Sequence, residues 1–282
     1  MLKKLLLLAG SGLFISIAQA SFCDTYTADH GTGVCVNVSA AANTQPGTSN
    51  ALSASAVFEV SGNNLNVTLV NDDVLPNNAN QLGGADVLTA LLFNITNTAG
   101  NEITLNPLSI GLTPSLTTNP ANPLGTATIT DGSDASQLGW EWGLGSDSHY
   151  YSNQATLTST GLVGNLQNGN FNCGANCDVL DGPKWGVVPA SVPNGIAPGI
   201  NTLVQNYVFF SLSGLSGSGL TAANLSSHLR NIVFQYGTAF GTEPVLVGQP
   251  PNTPVPEPSF IGFAALALVA TIVVRRQSQR RA

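Results

Sequence analysis

The chain has 282 residues and a formal net charge of −7, with 8% charged and 43% hydrophobic residues. Between residues 21 and 255 only Lys184 and Arg230 are basic, whereas fourteen residues are acidic. Phosphate binding needs clustered lysines and arginines, so this composition excludes nucleic acid as an expected partner. Few charges combined with abundant Asn, Ser, Thr and Gly favour an extracellular β protein that is long enough to form its own core.

The first twenty residues have the pattern of a secretory signal peptide. Lys3 and Lys4 precede a largely apolar stretch, and the small residues of Ala18-Gln19-Ala20 precede Ser21. We therefore expect cleavage between Ala20 and Ser21 and export of the mature chain through the inner membrane. An uncleaved N-terminal anchor is the alternative interpretation.

Four cysteines remain in the exported part, namely Cys23, Cys35, Cys173 and Cys177. An oxidising compartment makes disulfides the expected state of exported cysteines. Three connectivities are open, of which Cys23–Cys35 with Cys173–Cys177 is the most local. A zinc site is the competing interpretation of the Cys-x3-Cys spacing, but no histidine or second matching pair lies near it in the sequence.

Residues 52–69 predict a β-hairpin. Apolar and polar residues alternate over Leu52–Val60 and again over Leu65–Leu69, with the turn sequence Ser61-Gly-Asn-Asn64 between them. Alternation with period two is typical of strands that have one side on a core and the other in water. We therefore expect this hairpin to have one solvated face.

Further short apolar runs predict additional strands along the chain. They are Val87–Ile95, Ile103–Leu105, Thr126–Ile129, Tyr207–Leu212 and Asn231–Tyr236. Val87–Ile95 is the most apolar of them, which favours a central position in a sheet. Prolines from Pro107 to Pro123 interrupt the region between the shorter runs. Thr221 could cap a short helix that extends through Leu229.

Residues 131–205 are rich in Gly, Asn, Ser and Pro, which indicates either functional loops or strands that the pattern conceals. Trp140, Trp142, Tyr150 and Tyr151 interrupt this region. Exposed rings here could form a sugar-stacking platform, with Trp140 and Trp142 as the candidate glycan contacts. The alternative is that these rings fill the core or cover a sheet edge.

The sequence contains no recognisable catalytic constellation. A nucleophile elbow needs Gly-x-Ser-x-Gly, which does not occur, and His30, His149 and His228 have no neighbours at metal-ligand spacing. Carboxylates for glycoside hydrolysis must lie at a defined separation in space, which the sequence does not give. We therefore expect a protein without catalytic residues.

Calcium is the one cofactor that the sequence leaves open. Asn71-Asp-Asp73, Asp131-Gly-Ser-Asp134 and Asp178-Val-Leu-Asp181 carry the hard oxygen ligands that calcium prefers. None of them matches an EF-hand loop, and Asp is also a common turn residue. No metal ligand is therefore assigned.

Residues 249–282 combine a linker, an apolar segment and a basic tail. Residues 249–258 are rich in proline and end in Val255-Pro256-Glu257-Pro258, residues 259–275 are predicted to form a transmembrane helix, and residues 276–282 form the tail. The prolines hold the preceding residues out of the α region, so the tripeptide is expected to be extended.

The apolar segment is short for a membrane span. At about 1.5 Å per residue its helix covers roughly 24 Å, whereas a bilayer core is about 30 Å thick. Arg275, Arg276, Arg280 and Arg281 predict a stop-transfer signal with the C-terminus in the cytoplasm. A permanent single-pass anchor and a buried helix of a soluble fold are the alternatives.

The order of Pro256-Glu257-Pro258, short apolar helix and arginine tail resembles the PEP-CTERM sorting signal of bacterial exosortase substrates. That resemblance implies that exosortase, a membrane-embedded processing enzyme, recognises this region and removes the helix during export. Three further stretches resemble a group of exosortase-dependent surface proteins of unassigned function. They are the hairpin Ala54–Val70, the strand Asp86–Phe93 and the closing segment Val233–Thr238 with Glu243-Pro244. The resemblance implies an extracellular all-β domain and supplies no catalytic residues.

Together these features predict an all-β ectodomain over residues 21–248, an antiparallel β-sandwich with a jelly-roll-like arrangement. The expected function is that of a structural or interaction protein of the cell surface or the extracellular polysaccharide matrix. The membrane would hold the chain through the C-terminal helix until processing. A glycan-binding β-sandwich is the second hypothesis, and a secreted hydrolase is the third because no catalytic pattern supports it.

Overall fold

The computed structural model describes residue 23 and residues 33–42, 44–73, 83–112, 127–130, 137–147, 154–160, 171, 185–190, 202–238 and 243–248. The expected signal peptide with its Ala20–Ser21 cleavage point lies outside these residues. So do Val255–Pro258, the C-terminal apolar segment and the four terminal arginines. Among the described residues, no helix has both the length and the apolar character needed to cross a membrane.

Strands predominate in this part of the chain, and the helices are short. In chain order the elements are β1 (Val34–Ala40), β2 (Leu52–Ser61), β3 (Asn64–Asn71), a 3₁₀ helix (Gly84–Asp86), β4 (Leu88–Ile95), β5 (Asn106–Gly111), β6 (Thr128–Ile129), α1 (Leu138–Glu141), β7 (Gly143–Asp147), β8 (Gln154–Thr158), β9 (Val187–Val188), β10 (Val204–Gln205), β11 (Tyr207–Ser213), α2 (Leu225–His228), β12 (Leu229–Tyr236) and β13 (Val245–Val247).

The strands form two sheets. The first has the order β1-β2-β3-β11-β5 and is antiparallel throughout. The second has the order β13-β12-β4-β9-β10-β6, and the β7–β8 hairpin joins it where β8 pairs with β4. Among the described strands only β9 and β10 are parallel to each other. The predicted all-β class is therefore confirmed.

The hairpin predicted over residues 52–69 is formed by β2 and β3. Its turn contains Gly62, whose φ of +60° lies in the left-handed region that glycine adopts readily. The prediction that one face of this hairpin is solvated is wrong, because Ser55, Asn66 and Thr68 on that face are all buried. One reason is that Ala127, just before β6, and Leu112, just after β5, pack on this face against the paired residues Val70 and Tyr207.

Pro107 does not interrupt the strands as predicted, because it lies within a strand. Residues 103–105 lie outside the strands, and β5 begins at Asn106 and includes Pro107. Since β5 is the last strand of its sheet, one of its edges needs no ladder hydrogen bonds, and proline is tolerated there. The expected strand at residues 126–129 is present as the shorter β6.

The turn-rich region 131–205 contains β7, β8, β9 and β10. β9 and β10 have two residues each, and a strand of that length has no alternation from which it could be recognised. The expected helix from Thr221 through Leu229 is reduced to α2, because Leu229 already pairs with Ile95 of β4.

One core cluster contains buried side chains from both sheets. Phe58 of β2 and Phe93 of β4 meet edge to face, with ring centroids 5.1 Å apart and ring planes inclined by 70°. All eight residues of β4 are buried, which confirms the prediction that this strand is central. The two sheets therefore make apolar contacts with each other, and the Phe58–Phe93 contact joins β2 of one sheet to β4 of the other.

Candidate functional site

The two tryptophans predicted as glycan contacts have different environments. Trp140 in α1 is 59% exposed, whereas Trp142, directly after α1, is fully buried. The Trp142 indole Nε1–H donates a hydrogen bond of 2.9 Å to the carbonyl oxygen of Trp185. Its ring also packs against Phe210 of β11, with centroids 5.1 Å apart. Trp142 is thus a core residue, and the expectation that it contacts a glycan is wrong.

The chain direction changes at Trp142, which explains why the two rings do not form one platform. Helical φ and ψ end at Glu141, and Trp142 is extended with φ −116° and ψ 138°. The Trp140 ring is left on the surface, and α1 lies against β5, whose Leu108 is also exposed. Tyr150 and Tyr151, the other two rings of the expected platform, lie outside the described residues.

Cys23 and Cys35 form a disulfide across a sequence separation of 12. Cys35 lies in β1, where Val34, Val36 and Val38 are buried in the core, so Cys35 faces the opposite side of this edge strand. The bond holds Cys23 against that outer side. Cys173 and Cys177 lie outside the described residues.

Three carboxyl groups gather at one end of the two sheets, and we call Asp72, Asp73 and Asp86 the acid cluster. The first two follow β3 directly, and Asp86 ends the 3₁₀ helix before β4. Asp73 is 6% exposed and Asp86 is 4% exposed. Within the described residues the only lysine or arginine is Arg230. It lies near the start of β12, whereas Tyr236, which is close to the acid cluster, lies at the end of that strand.

Asp73 has one satisfied and one unsatisfied carboxyl oxygen. Its Oδ1 accepts a hydrogen bond from the Ser53 backbone N–H. Its Oδ2 is buried, and the nearby Tyr236 hydroxyl donates to the Ser53 carbonyl oxygen instead. Burial raises the pKa of Asp73 to about 8, and the nearby Asp86 and Asp72 carboxyls add to the increase. A buried carboxylate without a cation is costly, so the group binds a proton instead. Burial therefore favours the protonated form of Asp73 at neutral pH.

Asp72 points to the other side of the chain. It accepts hydrogen bonds from the Ser55 hydroxyl and, at 3.5 Å, from Asn37 Nδ2. Burial raises the pKa of Asp72 to about 6, and these two hydrogen bonds limit the increase because they stabilise the charged form. Asp72 therefore ionises at a lower pH than Asp73.

Asp86 and Tyr236 each have hydrogen-bond partners of their own. Asp86 accepts hydrogen bonds from the Gly83 N–H at 2.8 Å and from the Thr48 hydroxyl. Tyr236 Oη donates to the Ser53 carbonyl oxygen at 3.0 Å. Burial and the three nearby carboxyls raise the pKa of Tyr236 well above its usual value, so the phenol stays protonated.

The acid cluster does not form a metal cage. Within the described residues no group of three or more His, Cys, Asp or Glu side chains could hold a metal ion. Successive residues of an extended chain point in opposite directions, so Asp72 and Asp73 bond to different partners and do not converge. The calcium expectation for Asn71–Asp73 thus gains no support, and those for residues 131–134 and 178–181 lie outside the described residues.

Sequence reasoning missed the acid cluster as a buried site, although a signal was present. Leu69, Asn71 and Asp73 continue the period-two alternation of β3 on its core side. A carboxyl that continues a core-facing series, two residues after a strand, is expected at the end of the core. The partners Thr48 and Tyr236 come from distant parts of the chain and give no such signal.

A cleft of about 370 Å³ lies where β1 and β13, the edge strands of the two sheets, come together. Its lining includes Asn37, Ser39 and Gln45 and has no charged residue. Asn37 also donates a 3.0 Å hydrogen bond to the Ser55 hydroxyl. The acid cluster and this uncharged cleft are therefore linked through Asn37, which contacts both.

Comparison with known proteins gives no relative of this chain: no family model, no curated protein and no solved structure matches it.

Proposed function

We propose that this protein is an exported surface or extracellular-matrix protein whose C-terminus is a sorting signal for an exosortase-type enzyme. The observation that carries the proposal is the order of parts in residues 255–282: Pro-Glu-Pro, a short apolar segment and four arginines. The secretory pattern of residues 1–20 supports it from the other end of the chain. In this scheme the C-terminal helix is a temporary membrane anchor.

The properties of the ectodomain are compatible with export. A disulfide joins Cys23 to Cys35, and such bonds persist in oxidising compartments outside the cytoplasm. The Gly-, Asn- and Ser-rich composition with few basic residues suits a domain that is solvated by amides and hydroxyls. These features support an extracellular location and are independent of the C-terminal motif.

We further propose that the two sheets pack face to face as a β-sandwich with a jelly-roll-like arrangement. The shared core cluster and the Phe58–Phe93 contact support this, because each ring comes from a different sheet. The hydrogen bond from Tyr236 Oη to the Ser53 carbonyl joins β12 to β2 and supports the same packing. Such a domain would serve a structural or interaction role in the surface layer, without catalysis.

Intact mass spectrometry of the protein from native cells, with and without the exosortase-type enzyme, tests the sorting proposal. We expect a mature mass that lacks residues 260–281 in cells with the enzyme and retains them in cells without it. Substitution of Pro256, Glu257 and Pro258 by alanine should give the retained mass in both strains. If the mature chain keeps residues 260–281 in both strains, the segment is a permanent anchor and the proposal is wrong.

A matched control uses two prolines of the same linker. Pro250 and Pro251 precede the motif, so replacing both by alanine changes the stiffness of the linker and leaves Pro-Glu-Pro intact. We expect normal processing of this variant. Failure of both variants would mean that linker shape, and not the tripeptide, determines processing.

A second candidate function is glycan binding through Trp140. Its 59% exposure is the observation that favours it, since an exposed indole can stack on a sugar ring. Leu108, in the strand β5 that α1 contacts, is 51% exposed. Binding of extracellular polysaccharide that is lost in Trp140→Ala and retained in Leu108→Ala would support this candidate. A glycan array on which the unaltered protein binds no glycan would exclude it.

A further inference from the structure

The two edge strands of the first sheet differ in how they are protected against pairing with a further strand. At one edge, β5 contains Pro107, and its register with β11 shifts so that Leu108 has no partner residue in the ladder. Proline and β-bulges both keep an edge from pairing with another chain. At the other edge, all seven residues of β1 pair in one regular register with β2. The sequence of β1 contains no proline and no charged residue, so β1 lacks these protections.

The outer edge of β1 borders the uncharged cleft. Gly248, which follows β13, lies against β1, since a Cβ at this position would come within 2.9 Å of Val36 Cγ1. From this contact the cleft of about 370 Å³ opens between residues 37–40 of β1 and Val245–Val247 of β13. In the described part of the chain, no ladder joins β1 to β13. Both walls of the cleft are therefore strand edges, whose outward backbone groups can bond to an incoming strand.

The surface that β1 offers is complementary to itself. Val36 and Val38 face the core, whereas Asn37 and Ser39 are exposed. A strand that extends this sheet needs the same alternation, apolar on the core side and polar on the other, and β1 of a second copy supplies it. Charge favours the same occupant. Residues 21–255 carry fourteen acids and two bases, so two copies repel each other in general, but neither β1 nor the lining of the cleft carries a charge.

We propose that the outer edge of β1 is a self-association surface, at which β1 of a second copy pairs antiparallel with β1 about a two-fold axis. The two five-stranded sheets then form one continuous sheet, and the β1 strand of each copy fills the cleft beside β13 of the other. Such an interface uses the same surface on both copies, so it gives a closed dimer and not a filament. Val247, which is 60% exposed on the cleft wall, is covered in this dimer. The inference concerns the ectodomain and does not depend on processing of the C-terminus.

Ser39 is the exposed side chain that reports on this pairing. Of the registers centred on residues 37–40, those that keep the two faces matched place Ser39 opposite Ser39 or Asn37 of the second copy. The two Ser39 side chains are then direct or diagonal neighbours, within reach of long charged side chains. Ser39→Lys therefore places two like charges together, as does Ser39→Glu, whereas a mixture of the two variants places opposite charges together.

Sedimentation of the full chain in detergent, over protein concentrations from about 1 µM to about 1 mM, tests the proposal. We expect a reversible monomer–dimer equilibrium whose dissociation constant rises roughly fivefold in Ser39→Lys and in Ser39→Glu. In the equimolar mixture of these variants it should return towards the original value. Ser109→Lys is the matched control, because Ser109 is an exposed serine on β5, and its dissociation constant should be unchanged.

Two results of this experiment would overturn the proposal. One is an unaltered protein that stays monomeric at every concentration, which would assign the cleft to a different extended chain. The other is an equal dissociation constant in every variant, as expected for association through the C-terminal segment, which all variants share.

Hydrogen exchange of the unaltered protein gives a second test that needs no variant. Amides of residues 37–40 should exchange faster when the dimer is diluted below its dissociation constant, and those of Asn106–Gly111 in β5 should exchange at the same rate. Unchanged exchange at residues 37–40 on dissociation of a dimer would show that the copies meet elsewhere and would refute pairing at β1.

Discussion

Removal of the Phe58 ring should destabilise the protein strongly, because this ring connects the two sheets. Phe58 and Phe93 are both fully buried, and their rings meet edge to face at 5.1 Å. Replacing a buried Phe by Ala costs about 3–5 kcal/mol of unfolding free energy. At about 2–4 °C per kcal/mol for a domain of this size, the melting temperature of Phe58→Ala should fall by roughly 6–20 °C.

The contact between the rings is isolated by a double-mutant cycle. Phe58→Ala, Phe93→Ala and the double variant are unfolded with urea, and the double variant should lose about 0.5–1.5 kcal/mol less than the sum of the single losses. Leu108→Ala is the control, since this side chain is 51% exposed and its loss should cost less than about 0.5 kcal/mol. A coupling energy of zero would mean that the rings do not meet, and the face-to-face packing of the sheets would lose its main support.

Two other changes test local features of the fold. Gly214 has a φ of +128°, and a Cβ there would collide with the carbonyl oxygen of Thr104, so Gly214→Ala should cost roughly 2–5 kcal/mol in urea unfolding. Gly217→Ala, with a φ of +71° and no atom near the added Cβ, should cost only about 1 kcal/mol, and equal losses would contradict the collision. Reduction of the Cys23–Cys35 bond should cost about 3 kcal/mol, as expected for a loop of this length. An unchanged urea midpoint after reduction would mean that the bond does not constrain the unfolded chain.

The sequence predicted the elements whose pattern is local. The β2–β3 hairpin was recognisable because its alternation and its turn both lie within residues 52–69, and β4 because its run is apolar throughout. The strands β9 and β10 were not recognisable, since two residues carry no period. The hairpin's second face was mispredicted for a related reason: the segments that cover it lie far away in the chain.

For the candidate site residues, too, the sequence predicts what depends on the local pattern and not what depends on distant segments. Trp140 and Trp142 are equivalent in the sequence, and only the change from helical to extended backbone at residue 142 separates a surface ring from a core ring. For Asp73, the alternation after β3 indicates its core-facing direction, but its raised pKa depends on burial by other segments and on the nearby Asp86 and Asp72 carboxyls. A sequence pattern thus gives the direction of a side chain, whereas its pKa depends on the assembled surroundings.

The small number of basic residues in the chain explains why the acid cluster contains no cation. A domain with fourteen acidic and two basic residues between positions 21 and 255 has little opportunity to pair a buried carboxyl with a cation. The acid cluster instead uses hydroxyl and backbone N–H donors from Ser53, Ser55, Thr48 and Gly83. These donors stabilise part of the negative charge, and burial of Asp73 Oδ2 without a donor favours the protonated form of that carboxyl. The scarcity of lysine and arginine therefore leaves Asp73 with a raised pKa, and the stability of the fold should decrease as the pH rises from about 4 to about 8.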